Sequence, residues 1–217
     1  MRLQNDSLSF DDLLDFVKYA HSTIGFRWMK SNPDKKSRLT GLKEKVSACT
    51  LCEIAKSRHN SVFGEGNPDA NIMFIGEGPG EQEDLSGRPF VGRAGKLLNK
   101  LLSSVGIKRE SVYIANIIKC RPPGNRNPSE SEITNCTPYL NRQIEIISPK
   151  LFFGLGKFAA SYLFEADIPI GKLRGRYIKK GDVVISCSYH PAYLLRNPSA
   201  SELFIDDLKK AIRCIDL

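Results

Sequence analysis

Apolar positions along this chain follow two rhythms, and the alternation between them predicts a fold. From residue 70 onward, short continuous apolar runs are separated by stretches whose apolar residues recur at helical spacing. The runs at 70–75, 112–118, 150–155 and 182–186 read as strands, and the basic segment at 173–180 reads as part of a hairpin. Helical patterns fill the intervals. One spans 95–105, with Leu97, Leu98, Leu101 and Leu102 on one side. A second runs to 147, opened by the capping box of Ser129 and Glu132; a third covers 156–164. A fourth runs to 214 behind the Ser199 and Glu202 pair, another capping-box signature. Strands alternating with helices of this length predict an α/β three-layer sandwich, a mostly parallel central sheet flanked by helices.

The first forty residues follow a different pattern. Phe10, Leu13, Leu14 and Val17 share a helical face, and Asn32-Pro33-Asp34 is a turn signal. Residues 1–40 are therefore expected to form an N-terminal helical extension and residues 41–217 the α/β domain. Trp28, the lone tryptophan, is expected to pack rather than to act.

Composition narrows the class. With 41% hydrophobic and 26% charged residues, the chain resembles an ordinary globular protein, and no apolar run approaches the length of a membrane span. The first residues lack the apolar core of a secretory signal, so a cytoplasmic setting is expected. The formal charge is +8, from 32 Lys and Arg against 24 Asp and Glu. Such an excess suits an anionic partner, with nucleic acid the first candidate and a solvated basic surface the bland alternative. A monomer is the working expectation.

Six cysteines in a reducing compartment point to metal binding, catalysis or plain burial rather than disulfides. Cys49-x2-Cys52, Cys120 and Cys136 can supply four thiolates to one centre, either zinc or an iron–sulfur cluster. The wide gap before Cys120 is not a zinc-ribbon spacing; such a centre would clip the N-terminal segment to the α/β core. Cys187 and Cys214 sit in apolar contexts and read as small buried residues.

Four loops carry unusual chemistry: 76–92, 119–128, 172–180 and 188–198. All but the basic one directly follow a predicted strand, at the sheet edge where α/β proteins bind ligands. The first contains Gly76-Glu77-Gly78-Pro79-Gly80, an acidic patch and Gly87-Arg88-Pro89-Phe90, with helix expected only from about Arg93. Phe90 lacks any amphipathic pattern to bury it, so it either stacks on a planar ligand or pins the loop. Asn116 offers a carboxamide donor and acceptor, to a planar ligand or to nearby backbone. His190, held by Pro191, is placed to donate to a developing anion or to serve the structure alone. Leu194, Leu195 and Arg196 lie between Pro191 and Pro198, where apolar residues beside an arginine either wedge into a base stack or close the core.

Taken together, GEGPGEQED (76–84), GRPFVGRAG (87–95), NIIKCRPPGNRNP (116–128) and HPAYLLR (190–196), with four cysteines in order, closely resemble the type-4 uracil-DNA glycosylases, within the uracil-DNA glycosylase superfamily. The likeness runs from about 41 to 214. It implies base excision repair chemistry: hydrolysis of the N-glycosidic bond of a flipped-out uracil, in single- or double-stranded DNA, leaving an abasic site. It also implies a structural [4Fe–4S] cluster on Cys49, Cys52, Cys120 and Cys136, with zinc the alternative. Phe90 would stack on uracil, Asn116 would read its O4 and N3 edge, and Gly76 and Gly78 would line its pocket. His190 would stabilise the anion at O2, and Leu194, Leu195 and Arg196 would fill the gap in the DNA. Glu77 would handle the water or the sugar cation, with Glu83 and Asp84 as rival carboxylates. The segment GKLRGRYIKKGD lacks the reactive histidine of the branch that becomes covalently bound to DNA, so ordinary turnover is expected. The competing class is a non-catalytic nucleic-acid-binding module with a structural metal. That class leaves the acidic first loop unexplained. A nucleotide-binding transferase is weaker still, since the chain has no GxxxxGK[ST].

Overall fold

The computed structural model describes residues 34–215. The helix expected within residues 10–19, and Trp28, lie outside them. The chain divides between Asp34 and Lys35. Helix α1 (Lys35–Ser47) buries Leu39, Leu42 and Val46. Lys35 also donates from Nζ to the carbonyl of Ile147 at 2.9 Å.

Six strands form one sheet. They are β1 (Glu65–Gly66), β2 (Ile72–Gly76), β3 (Tyr113–Asn116), β4 (Leu151–Leu155), β5 (Tyr177–Lys180) and β6 (Val183–Ser188), in spatial order β1-β3-β2-β4-β6-β5. The four central strands are parallel, and β1 and β5 close the edges antiparallel. The central four read as unbroken apolar runs because both faces are covered. Met73, Ile75, Tyr113, Ala115, Phe152 and Ile185 point to one core. Their alternating neighbours Ile72, Phe74, Ile114, Phe153 and Val184 point to the other. The expected hairpin is present as β5 and β6.

Helix α2 (Glu81–Ser86) lies where the acidic patch was expected to be loop. It is too short to show a period, and Glu83 stabilises its start by accepting from the Gly80 amide at 3.2 Å. Helix α3 (Arg93–Ser104) follows as expected. Helix α4 (Glu130–Ile147) opens with the Ser129 and Glu132 capping box, Ser129 N donating to Glu132 Oε2 at 2.8 Å. Helices α5 (Lys157–Phe164) and α6 (Ile170–Leu173) come next. Helix α7 (Pro191–Arg196) occupies a segment read from sequence as an exposed loop. The last helix, α8 (Ser201–Ile212), starts without the expected Ser199 and Glu202 capping box. A 3₁₀ turn over Pro198–Ala200 takes up those residues instead. Cys187 is fully buried, as expected, while Cys214 is half-buried.

Candidate active site

The carboxyl ends of β2, β3 and β6 feed three loops into one cavity of about 560 Å³. Glu77, Gly78, Glu83 and Phe90 come from the first loop, Asn116 and Ile118 from the end of β3, and His190, Tyr193 and Arg196 from the last. The basic segment at 172–180, grouped with these loops from sequence, contributes nothing to the lining. Its Arg174 turns inward, donating from Nη2 to Asp207 Oδ1 at 2.7 Å and from Nε to Asp207 Oδ2 at 2.9 Å.

The floor is built by close approach. Parallel pairing sets Gly76 beside Asn116. A side chain at Gly76 would meet the Asn116 amide and lie 2.7 Å from Phe90 Cζ, and one at Gly78 would lie 2.7 Å from Ile118 Cγ1. Glycine is required at both positions to keep room between the amide and the ring. Asn116 is 1% exposed, and its Oδ1 has no hydrogen-bond partner among the described residues. A buried acceptor left unpaired costs about 1–3 kcal/mol, so this atom is poised for a ligand that brings a donor.

Phe90 is buried against the second core, which its Gly/Pro context did not suggest, yet it still lines the cavity. Its φ of 51° is a conformation that a bulky residue adopts only under constraint. Arg109 supplies the constraint, donating from Nη2 to the Pro89 carbonyl at 2.6 Å and from Nη1 to the Phe90 carbonyl at 3.3 Å. The Phe90 ring lies 5.7 Å from the His190 ring.

His190 caps α7, with Nδ1 accepting from the Ala192 amide at 3.1 Å. Burial, opposed by Glu83 and reinforced by Arg196, pushes its pKa down to about 4. At neutral pH the ring is uncharged with Nδ1 occupied as acceptor, so the proton sits on Nε2 as a donor.

The three acidic candidates separate clearly. Asp84 is 2% exposed and committed to the 59–60 backbone and ring, accepting from His59 N at 3.0 Å and pairing with His59 Nδ1 at 2.7 Å. Glu83 lines the cavity, but its Oε1 accepts from Val91 N and Gly92 N, both at 2.8 Å, which folds the loop onto α2. Only Glu77 lines the cavity with no side-chain partner among the described residues. Burial raises its pKa above the ordinary carboxylate value.

Cys49, Cys52, Cys120 and Cys136 line a second, apolar cavity with Val46, Ala55 and Tyr139. Burial raises the Cys120 thiol and pushes Cys136 up to about 11. Arg58 Nη1 donates to Cys120 Sγ at 3.1 Å and the Lys119 amide to Cys136 Sγ at 3.2 Å. Among the described residues, no group of three or more His, Cys, Asp or Glu side chains is arranged to hold a metal ion. The donor set nonetheless suits a thiolate-bound centre. It offers four soft ligands in an apolar pocket, with N–H donors and the Arg58 guanidinium facing the sulfurs.

The arrangement also corrects one sequence expectation. Leu194 is 1% exposed and packs in the second core, because α7 turns that side inward. Leu195 is only half-buried and does not line the cavity. Arg196 is exposed at the rim, as expected. Arg109 and Tyr193 were not singled out from sequence. Arg109 belongs to no motif, and Tyr193 could be distinguished from Leu194 only once α7 was known to be a helix.

A sequence profile of the Uracil DNA glycosylase superfamily matches residues 63–213. The chain is 48% identical over 172 residues to the type-4 uracil-DNA glycosylase of Thermotoga maritima, covering 77% of this chain and 90% of the relative. It is 46% identical over 181 residues to that of Sulfurisphaera tokodaii, covering 79% and 82%. The type-5 uracil-DNA glycosylase of Pyrobaculum aerophilum is more distant, 29% identical over 169 residues, covering 68% and 72%. The chain belongs to the uracil DNA glycosylase superfamily and, within it, to the type-4 uracil-DNA glycosylases.

Proposed function

We propose that the cavity at the ends of β2, β3 and β6 receives a uracil flipped out of DNA, with Glu77 and His190 as its catalytic residues. The chain is a uracil-DNA glycosylase of DNA repair, a hydrolase of N-glycosidic bonds. The observation that carries the site assignment is the buried, unpartnered Oδ1 of Asn116. Uracil N3–H is the donor that this atom lacks, and the amide N–H₂ then donates to O4. Cytosine reverses that pattern and would leave the amide facing like groups, a mismatch that costs a buried site heavily. Phe90 provides the stacking face, and Gly76 and Gly78 leave space for the ring.

As the bond from N1 to C1′ breaks, negative charge grows on uracil and positive charge on the sugar. His190 Nε2–H donates to O2 as it becomes anionic, a contribution of about 3–4 kcal/mol for one well-placed donor. Glu77, which has no side-chain partner among the described residues, acts as the carboxylate that orients the water adding to C1′ and offsets the sugar's charge. Water's oxygen ends on C1′ and uracil leaves, giving an abasic site. Arg196 contacts phosphate at the rim, which makes binding salt-dependent. The substrate is uracil-containing DNA, single- or double-stranded. We take the acting species to be a monomer. Six cysteines with no disulfide among them support a reducing, cytoplasmic setting.

Cys49, Cys52, Cys120 and Cys136 would hold a [4Fe–4S] cluster, whose four irons each take one thiolate. Bound there, it supplies a structural clip between the chain following α1, the end of β3 and α4. Arg58 and Lys119 would offset its negative charge. Protein purified without added metal is expected to release uracil from a defined oligonucleotide and to spare thymine and cytosine. Iron and sulfide should accompany it. Absence of release from both single and double strands would remove the catalytic assignment, and stoichiometric zinc would remove the cluster.

A further inference from the structure

We infer that Tyr193, and not the neighbouring leucines, is the side chain that enters duplex DNA and takes the space of the departed uracil. The inference rests on the reading of the cavity as a uracil site. An enzyme that extrudes a base must stop it from falling back, and the gap can be held open by a side chain stacked between the flanking bases. That side chain has to stand at the cavity rim, project outward and be rigid.

Leu194 fails the first requirement, being buried in the core. Tyr193 meets all three. It sits one turn after His190 on α7, lines the cavity and is 39% exposed. Its ring stacks on Tyr189 at a centroid distance of 4.8 Å and an interplanar angle of 30°. Tyr189 in turn has the Arg174 guanidinium 5.5 Å from its ring centre. That guanidinium is held by both oxygens of Asp207, which is 1% exposed and also accepts from Ser188 Oγ at 2.7 Å. The outermost tyrosine is thus the end of a braced stack that begins in the core. The other aromatic rings of the lining, Phe90 and His190, lie deeper and serve the base itself. Arg196 follows on the same helix to hold the adjoining phosphate.

The test compares Tyr193→Ala, Tyr193→Phe and wild type under single-turnover conditions. The substrates are uracil opposite adenine, uracil opposite guanine, and uracil in a single strand. Base–aromatic stacking predicts that Tyr193→Ala loses roughly 5- to 150-fold on the adenine pair. The loss should be smaller on the guanine mismatch and smallest on the single strand, where there is no helix to hold open. Tyr193→Phe should recover most of the duplex rate, since the ring and not the hydroxyl does the work. A 2-aminopurine placed opposite uracil should brighten with wild type and with Tyr193→Phe, and not with Tyr193→Ala. Leu194→Ala should lower the melting temperature and act equally on all three substrates. Equal loss across the substrates for Tyr193→Ala, or none, would overturn the inference. Inactive wild type would instead overturn the glycosylase reading, and the inference with it.

Discussion

Two cavities border the chain around the end of β3, and they differ in what they lack. The uracil cavity leaves two polar groups without partners among the described residues: Asn116 Oδ1 is buried and unpaired, and Glu77 is desolvated with no side-chain partner. The cysteine cavity holds soft ligands with donors already in place: burial raises the Cys120 and Cys136 thiols, while the Arg58 guanidinium and the Lys119 amide donate to their sulfurs. The first waits for a neutral planar molecule, the second for a cation that will displace protons. The same strand feeds both. Asn116 ends β3, and three residues later Lys119 folds back, Nζ donating to the Asn116 carbonyl at 2.7 Å and to Gln143 Oε1 at 2.6 Å. The lesson is that a polar group left unsatisfied marks the chemistry, whereas a satisfied environment around thiols marks a structural role.

That contrast is broken most severely at Glu77. Glu77→Gln should lower single-turnover cleavage by about 10²- to 10⁴-fold, the range expected for losing one acid–base group, with uracil-DNA affinity and bound iron preserved. His190→Ala should cost about 10²- to 10³-fold, as for the loss of one donor to a developing anion. Full activity in Glu77→Gln would return the water to another carboxylate. Glu83→Gln is the informative companion. It should weaken activity by loosening the 90–92 backbone, and with it the melting temperature, which Glu77→Gln should leave alone.

The reverse case lies in the other cavity. Cys136→Ser should abolish stoichiometric iron and lower the melting temperature strongly, because the clip between separate parts of the chain is lost. The fraction that remains folded should still discriminate uracil from cytosine. Loss of discrimination with the fold intact would show that the two cavities are not separate in function.

The sequence revealed much of this arrangement, unevenly. Strands β2, β3, β4 and β6 announce themselves because a buried parallel strand is an unbroken apolar run. Helix α4 does so because Ser129 and Glu132 sit at capping spacing. Helices α2 and α7 were hidden because six residues hold too little of a helical period to read. The consequence of missing α7 was local but real: without its rotation, Leu194 and Tyr193 are interchangeable rim residues. The Ser199 and Glu202 pair misled because Pro198 imposes a 3₁₀ turn that the spacing does not encode. Lys119 was legible only as one more basic residue, since burial of a lysine depends on Gln143 arriving from α4.

Acidification offers a gentler probe. Glu77 must be ionised, and burial raises its pKa, so the acid limb of the rate should lie above the ordinary carboxylate value of 4.5. His190 must stay neutral, and with a pKa of about 4 it should impose no change between pH 6 and 8. Stability follows the same residue with a definite sign. Below about 6.5 the unfolded chain takes up a proton that the folded His190 refuses, so folding weakens as pH falls towards 4. His190→Asn should flatten that part of the stability profile. A rate step near 6.5 abolished by the same substitution would show that the imidazole works charged.

The smallest expected effect is also the one that sharpens the comparison most, because it tests support rather than contact. Arg109 touches the backbone on either side of Phe90 and also donates from Nη1 to Asn99 Oδ1 at 2.9 Å. Lysine keeps the charge but cannot span both carbonyls and the amide, since its donors leave a single nitrogen. Arg109→Lys should therefore let Phe90 relax from its φ of 51° and spoil the stacking face without removing it. The expected result is a rise in KM of about 3- to 10-fold with kcat little changed, as when binding shared by ground and transition states is lost. An equal fall in kcat would mean that Phe90 must be held for the chemical step itself. In that case the strain at Phe90 would belong to the reaction, with Arg109 as its source.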